Sequence, residues 1–368
     1  MDRPEVSSAD VVIVGAGIMG AALAYYLARA GVPALVLDRA GPAAEASGAN
    51  AGMIGPSGGI PGKTLPLSLL SAELYDRAAC ELDEPIHFHR GGRLLLAHTP
   101  EDVAEREQFY RERQGLGIEL HRLSGSEVRE IEPLISPSVT FAVYAPADGH
   151  IDPFRATVAY LHTACRLGAR FESLEVTGLA MERGAVRGVV TEGGTIRAER
   201  VVLAAGAWSG ELARSAGVDV PVFPGRGQMM VTAPVEPLTP RVLRAVMIGL
   251  RQMDQGHLVI GSEVELVGFQ KGVDVLTLAR YADLAGDILP AARTLPLERC
   301  WSGLRPMTAD TLPIIGGVPG VAGLDLLTGH GRSGMTYGPA SALALADLIV
   351  HGTTDVPIEP LGLERFQA

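Results

Sequence analysis

The spacing of apolar positions changes period repeatedly along the chain, and the changes outline its elements. Asp10-Val11-Val12-Ile13-Val14 is an apolar run of strand length. After Gly15-Ala16-Gly17-Ile18-Met19-Gly20 the spacing turns helical through Leu23, Tyr26, Leu27 and Ala30, and Gly31 stops it. A second apolar run, 34–37, brings Asp38 to its carboxyl end, 23 residues after Gly15. Residues 41–62 are rich in glycine and proline and predict neither helix nor strand, although 46–53 is too apolar for a solvated linker. Small residues there let a backbone approach a flat ligand.

Further on, the spacing predicts an amphipathic helix over 67–82 and strands at 87–89 and 92–96. Thr99-Pro100-Glu101-Asp102 and Ser124-Gly125-Ser126-Glu127 have the hydroxyl and acid of helix starts, the first opening a charged helix to about Gln114. Asp152-Pro153 starts a helix reaching Gly168. Strand runs follow at 171–176, 178–182 and 186–191, and 200–209 reads as a buried parallel strand ending in small residues. Strands at 228–232, 246–250 and 257–261 precede a helix over 274–289, which suits an antiparallel sheet roofing a cavity. Last come a strand at 324–328, a glycine loop at 329–334 and an apolar helix over 335–350.

The first of these stretches carries chemistry. Gly15 permits a tight turn off the strand, Gly17 lets backbone approach a pyrophosphate, and Gly20 lets helix pack on strand. The helix N-terminus offers free N–H groups to phosphate, and Asp38 offers acceptors to ribose hydroxyls. This predicts a dinucleotide site for FAD or NAD. The loop at 329–334 repeats the glycine spacing without a following acid, so it reads as another helix N-terminus aimed at the same cofactor.

Composition narrows the classes. A chain of 368 residues, 47% hydrophobic, suggests two domains with a large core. A formal net charge of −11 argues against nucleic acid or an anionic membrane as partner. Cys80, Cys165 and Cys300 are odd in number and widely spaced, which fits a reducing compartment and no zinc site. His87 and His89 lack a third ligand in sequence and read as a half-exposed strand face, so no metal is expected. Residues 55–59 match the serine nucleophile elbow in letters, without the strand and helix that it needs. The N-terminus has no basic region before an apolar core and no apolar run reaches spanning length, so the protein reads as cytoplasmic without a transmembrane segment.

The fingerprint at 15–20, the segments 46–53 and 201–209, Trp301-Ser302-Gly303-Leu304-Arg305-Pro306 and the loop at 329–335 occur in an order that resembles the FAD-dependent D-amino-acid oxidases and dehydrogenases, most of all the glycine oxidase, sarcosine oxidase and hydroxyproline dehydrogenase branch. The resemblance implies an α/β (α+β) fold: a discontinuous Rossmann-like FAD-binding domain (1–85, 145–220 and 300–368) with a mixed antiparallel-sheet substrate domain (86–144 and 221–299). It implies that Gly15, Gly17, Ile18, Met19 and Gly20 cradle FAD, with Asp38 and Arg39 at its adenosine end and Val176 on adenine. Ser47, Asn50, Ala51, Gly52, Met53, Ala205, Gly206, Trp208, His330, Gly331, Arg332, Ser333, Gly334, Met335 and Thr336 would complete the cofactor site. Arg305 would hold the substrate carboxylate while the Cα hydrogen leaves as hydride for flavin N5, giving an imine and then a keto acid, and Arg332 would lie beside the flavin with its side chain closing the site. FAD is expected without a covalent bond, although Cys300 stands where monomeric sarcosine oxidases attach theirs. Family members more often carry glutamate at the Asp38 position, and glycine oxidases carry a substrate-facing tyrosine near 246–250, where this chain has Met247, Ile248 and Gly249. The pocket therefore suits something bulkier or more apolar than glycine. Oxygen, a quinone or a partner protein as electron acceptor, a homo- or hetero-oligomer, a flavoprotein subunit serving another chain, and an NAD-dependent dehydrogenase all stay open.

Overall fold

The computed structural model describes residues 7–367. In it, Ser8–Val14 lies inside an eight-stranded sheet, between Gly194–Leu203 and Leu35–Asp38 and parallel to both. Arg170–Ser173 extends the parallel order beyond Leu35–Asp38, and Leu324–Thr328 extends it beyond Gly194–Leu203. Both faces of these strands are covered, which explains their unbroken apolar runs. Ile13, Val36 and Val202 point into one core with the helices Ile18–Arg29, Leu65–Glu81, Pro153–Arg166 and Gly334–His351. Val12, Val14, Leu35, Leu37, Val201 and Leu203 point into another, under the antiparallel strands Val176–Glu182 and Ala185–Thr191. Helices Ile18–Arg29 and Gly334–His351 pack closely because they meet through small side chains; a Cβ on Gly338 would stand 3.2 Å from Ile18.

A second eight-stranded sheet runs in the order Leu297–Met307, Phe223–Thr232, Leu258–Gly261, Gly249–Gln252, Val242–Arg244, Arg93–Ala97, Phe141–Ala145 and His121–Ser124. Its pairs are antiparallel except Val242–Arg244 with Arg93–Ala97. One face carries Met230, Leu250, Leu258 and Ile260 against Tyr281, Ala285 and Ile288 of the helix Val275–Ile288. The opposite face carries Met229, Val231 and Val259. Both expected capping boxes form, Thr99 with Asp102 and Ser124 with Glu127, and Asp152 and Asp274 cap their helices.

Several local expectations need correction. Residues 41–62 hold a short helix, Ala46–Ala49, and a strand, Met53–Ile54, that pairs with Gly149–His150. Residues 87–89 are no strand; only an isolated bridge joins His89 to His150. The expected strand at 246–250 is interrupted by a tight turn, in which the Ala245 N–H donates to Ile248 O at 2.9 Å. Leu297–Met307 lies in the second sheet along its whole length, so the sequence-based domain boundary at 300 falls within a strand. The chain rejoins the first sheet at Ile314–Gly317. Residues 1–5, read as lacking a signal peptide, lie outside the described residues. No helix among those residues is long and apolar enough to cross a membrane.

Candidate functional site

The two sheets enclose a cavity of about 730 Å³, bounded by the ends of the parallel strands and one face of the second sheet. The glycine fingerprint forms its first wall. Gly15 has φ +112°, a conformation that side chains avoid, and a Cβ there would lie 2.7 Å from the Ala204 carbonyl carbon. Gly17 precedes the helix Ile18–Arg29, and a Cβ on it would meet Ser47 Oγ at 2.9 Å. Ser47 Oγ also accepts from the Ile18 N–H at 2.9 Å. Gly20 is different: a Cβ there would overlap the Gly15 carbonyl oxygen, so it lets the helix sit against the strand and does not line the cavity. Of the residues that the sequence assigned to the cofactor, all but Gly20 line this one cavity, and so does Arg305.

Asp38 fastens its surroundings, since its two oxygens accept from the N–H groups of Ala16 at 2.9 Å, Ala40 at 2.8 Å and Gly41 at 3.2 Å. Arg39 pairs with Glu175 at 3.1 Å and lies over the Trp208 ring, 4.8 Å from its centroid. Asn50 donates to the carbonyls of Ala46 and Ser47 and accepts from the Gly52 N–H at 2.7 Å. These bonds hold the small-residue segment along the cavity wall.

At the opposite end, the helix Gly334–His351 opens onto the cavity without a side-chain cap, as Ile18–Arg29 does without one from Gly17. Two helix N-termini therefore aim their positive dipole ends at one space, an arrangement that suits an elongated anion. Just before Gly334–His351 stands His330, whose Nε2 is 3.1 Å from Ser341 Oγ and whose buried Nδ1 has no partner among the described residues. Burial holds its pKa at about 3, so the ring is neutral near pH 7. An unpartnered Nδ1, two open helix ends and a wall of glycine and alanine fit a bound dinucleotide.

Five arginines, 39, 93, 244, 305 and 332, line the cavity. Arg305 crosses over Gly227, where a Cβ would lie 2.5 Å from its Cζ. Its guanidinium donates to Glu263 O at 3.1 Å and to Ser262 Oγ. Burial, and next the like charge of Arg332, lower its pKa to about 10, which leaves it charged near pH 7. Arg332 approaches Ser262 O at 3.5 Å. Arg93 pairs with the buried Asp148 at 2.7 Å.

The model of the FAD dependent oxidoreductases matches residues 10–348. The chain belongs to that family. It is similar to the glycine oxidase of Bacillus licheniformis, 30% identical over 366 residues that cover 98% of this chain and 96% of that protein. The crystal structure of glycine oxidase from Geobacillus kaustophilus superimposes with a TM-score of 0.92 at 28% identity, covering 97% of this chain and 98% of the other. L-proline dehydrogenase from P. horikoshii gives 0.91 at 26% identity, with 98% of each chain covered. This protein is accordingly an FAD-dependent oxidoreductase.

In this oxidoreductase Cys300 is exposed and does not line the cavity, which removes it as an attachment point for the flavin. Ser57 is buried and donates its N–H and Oγ to the Asp148 carboxylate at 3.0 and 2.7 Å, so the elbow motif is a structural knot and no nucleophile. His87 and His89 do have a third neighbour: Asp254 lies 2.7 Å from His87 Nδ1 and 3.0 Å from His89 Nε2. Sequence spacing missed Asp254 because it arrives from a turn 165 residues beyond His89. It missed Arg93, Arg244 and Ser262 as well, since only the strand register of the second sheet brings them to the cavity.

Proposed function

We propose that this oxidoreductase removes a hydride equivalent from the Cα–H of a small amino acid or secondary amine, breaking that bond as a C=N bond forms. Loss of the amine proton leaves a neutral imine, which water hydrolyses to a keto acid. Bound FAD would supply the two-electron acceptor. The observation that carries the reading is Arg305, a charged guanidinium in the cavity wall held by Ser262 and Glu263 O without a carboxylate partner among the described residues. Such a group grips a carboxylate through two parallel hydrogen bonds and fixes which substrate face meets the cofactor.

The chain's other assignments follow from the same reading. Gly15, Gly17, Ile18 and Met19 would hold the pyrophosphate, with Asp38, Arg39, Val176, Ala205, Gly206 and Trp208 around the adenosine half. Ser47 and the segment from Asn50 to Met53 would flank the flavin ring, and His330 to Thr336 its ribityl chain and pyrimidine edge. There the N-terminus of Gly334–His351 favours the negative charge of a reduced ring. Oxygen or another acceptor would reoxidise the cofactor, in a cytoplasmic protein.

The test is anaerobic bleaching of the yellow holoenzyme by a panel of glycine, sarcosine, D-amino acids, D-proline and hydroxyprolines. At least one should reduce the flavin within the turnover time. A chromophore untouched by every amino acid, acidic ones included, would overturn the reading.

A further inference from the structure

One end of the cavity holds more positive charge than a single substrate carboxylate uses. Arg93 is answered by Asp148, and Arg106 behind it pairs with Glu105 at 2.8 Å. Arg244 has no such partner among the described residues: its one hydrogen bond is a 3.4 Å contact with the carbonyl oxygen of Val246. Its charged neighbours are Arg332, Arg93, Arg106 and Arg305, all of its own sign. Burial first, and then those like charges, bring its pKa down to about 9, so it remains a cation near pH 7. A half-buried charge without a counter-charge is costly, and a ligand that supplies the counter-charge removes the cost.

The second sheet makes room for this side chain. Gly249 is the cross-strand partner of Arg244, and a Cβ on Gly249 would lie 2.9 Å from Met53 Sδ and 3.4 Å from Arg244 Cδ. Arg244 therefore leans over the strand Gly249–Gln252. From the far edge, Arg305 crosses Gly227 and reaches Ser262, the residue after Leu258–Gly261. Those two strands are neighbours in the sheet. Strands in a sheet are about 4.8 Å apart, so the two guanidinium groups reach the cavity over neighbouring strands. That placement suits two carboxylates on one small molecule.

We infer that Arg244 is a second anion-binding residue of the substrate pocket and that the preferred substrate is an amino acid or secondary amine with two carboxylates, one on Arg305 and the other on Arg244. The inference rests on the amine-oxidising reading above. It also accounts for the absent tyrosine: Gly249 leaves space that a cation occupies, so the pocket is open for a charged group and not for a merely larger apolar one.

The test compares acidic with neutral substrates of matched length on the holoenzyme: both enantiomers of aspartate and glutamate and N-carboxymethylglycine against 2-aminobutyrate, norvaline and sarcosine. At least one acidic compound should exceed its neutral counterpart tenfold or more in kcat/KM, and Arg244→Met should shrink that ratio about 100-fold. A readout independent of turnover is calorimetric titration of the oxidised holoenzyme with glutarate and with butyrate. Glutarate should bind the wild type at least tenfold more tightly, and Arg244→Met should abolish the difference. If Arg244→Met fails to fold, Arg244→Lys and the wild-type glutarate and butyrate titrations decide, with Lys keeping part of the preference. Equal binding of the two acids, a wild type that prefers neutral substrates, or an unchanged ratio in a folded variant overturns the inference. Bleaching by neutral amino acids alone would sink this inference and leave the proposed amine oxidation standing, whereas no bleaching at all would sink both.

Discussion

Gly227→Ala separates the placing of a charge from its presence. Arg305 keeps its guanidinium in this variant, but a Cβ at position 227 would stand 2.5 Å from Arg305 Cζ. The guanidinium nitrogens would lie closer still, so restoring ordinary contact at about 3.4 Å moves the group by at least about 1 Å and breaks its hold on Ser262 and Glu263 O. A 1 Å error in a positioning group costs about 100-fold in kcat/KM, which is about 2.7 kcal/mol of transition-state binding. The fold should hardly notice. Two hydrogen bonds lost by a movable side chain cost about 1 kcal/mol each, and alanine in a strand returns about 0.5 to 1 kcal/mol relative to glycine. The assay is steady-state kinetics with the substrate found by bleaching, beside flavin content and a melting curve. The expected result is full flavin content, a Tm within a few degrees of wild type, and kcat/KM down about 100-fold. A variant with wild-type kcat/KM would refute the claim that Arg305 must lie where the structure has it.

Arg305→Ala should retain FAD and lose about 2 to 5 kcal/mol of transition-state binding, more than the glycine variant, as read from kcat/KM. Gly20→Ala drives a Cβ into the Gly15 carbonyl oxygen, where no rotamer relieves the clash, so it should cost about 1 to 3 kcal/mol and lower the purified protein's flavin-to-protein ratio. His330 is buried with a pKa of about 3, against about 6.5 in an unfolded chain, so the unfolded state takes up its proton first. The stability it contributes is therefore present above pH 6.5 and is lost as pH falls toward 3. His330→Gln should reduce the difference in unfolding free energy between pH 7 and pH 5 by about 2 kcal/mol, measured by urea titration. Acid precipitation should release all flavin into the supernatant from both the wild type and Cys300→Ser, because that thiol does not reach the cavity.

The dinucleotide-binding unit was legible because its signals are local. Strand, glycines, helix and acid lie within 10–38, and each constrains its neighbours in the chain. The capping boxes at Thr99 and Ser124 were legible for the same reason. Residues 41–62 were not, since Met53–Ile54 becomes a strand only by pairing with Gly149–His150, about a hundred residues on. Arg305 was recognised through its motif, while Arg244 was invisible: nothing local says that Val242–Arg244 lies between Gly249–Gln252 and Arg93–Ala97. Register across strands is a long-range property, and a single-residue slip would turn Arg244 to the opposite face.

The strand Leu324–Thr328 and the helix Gly334–His351 have a bearing on biosynthesis. Both build one end of the cavity, and both follow the glycine fingerprint by about 300 residues. While translation is under way the glycine fingerprint can fold, yet the compartment it serves still gapes. Flavin capture is thus deferred until residues 324–351 have been made, and a nascent chain stalled before residue 324 would carry the start of a binding site with nothing to close it.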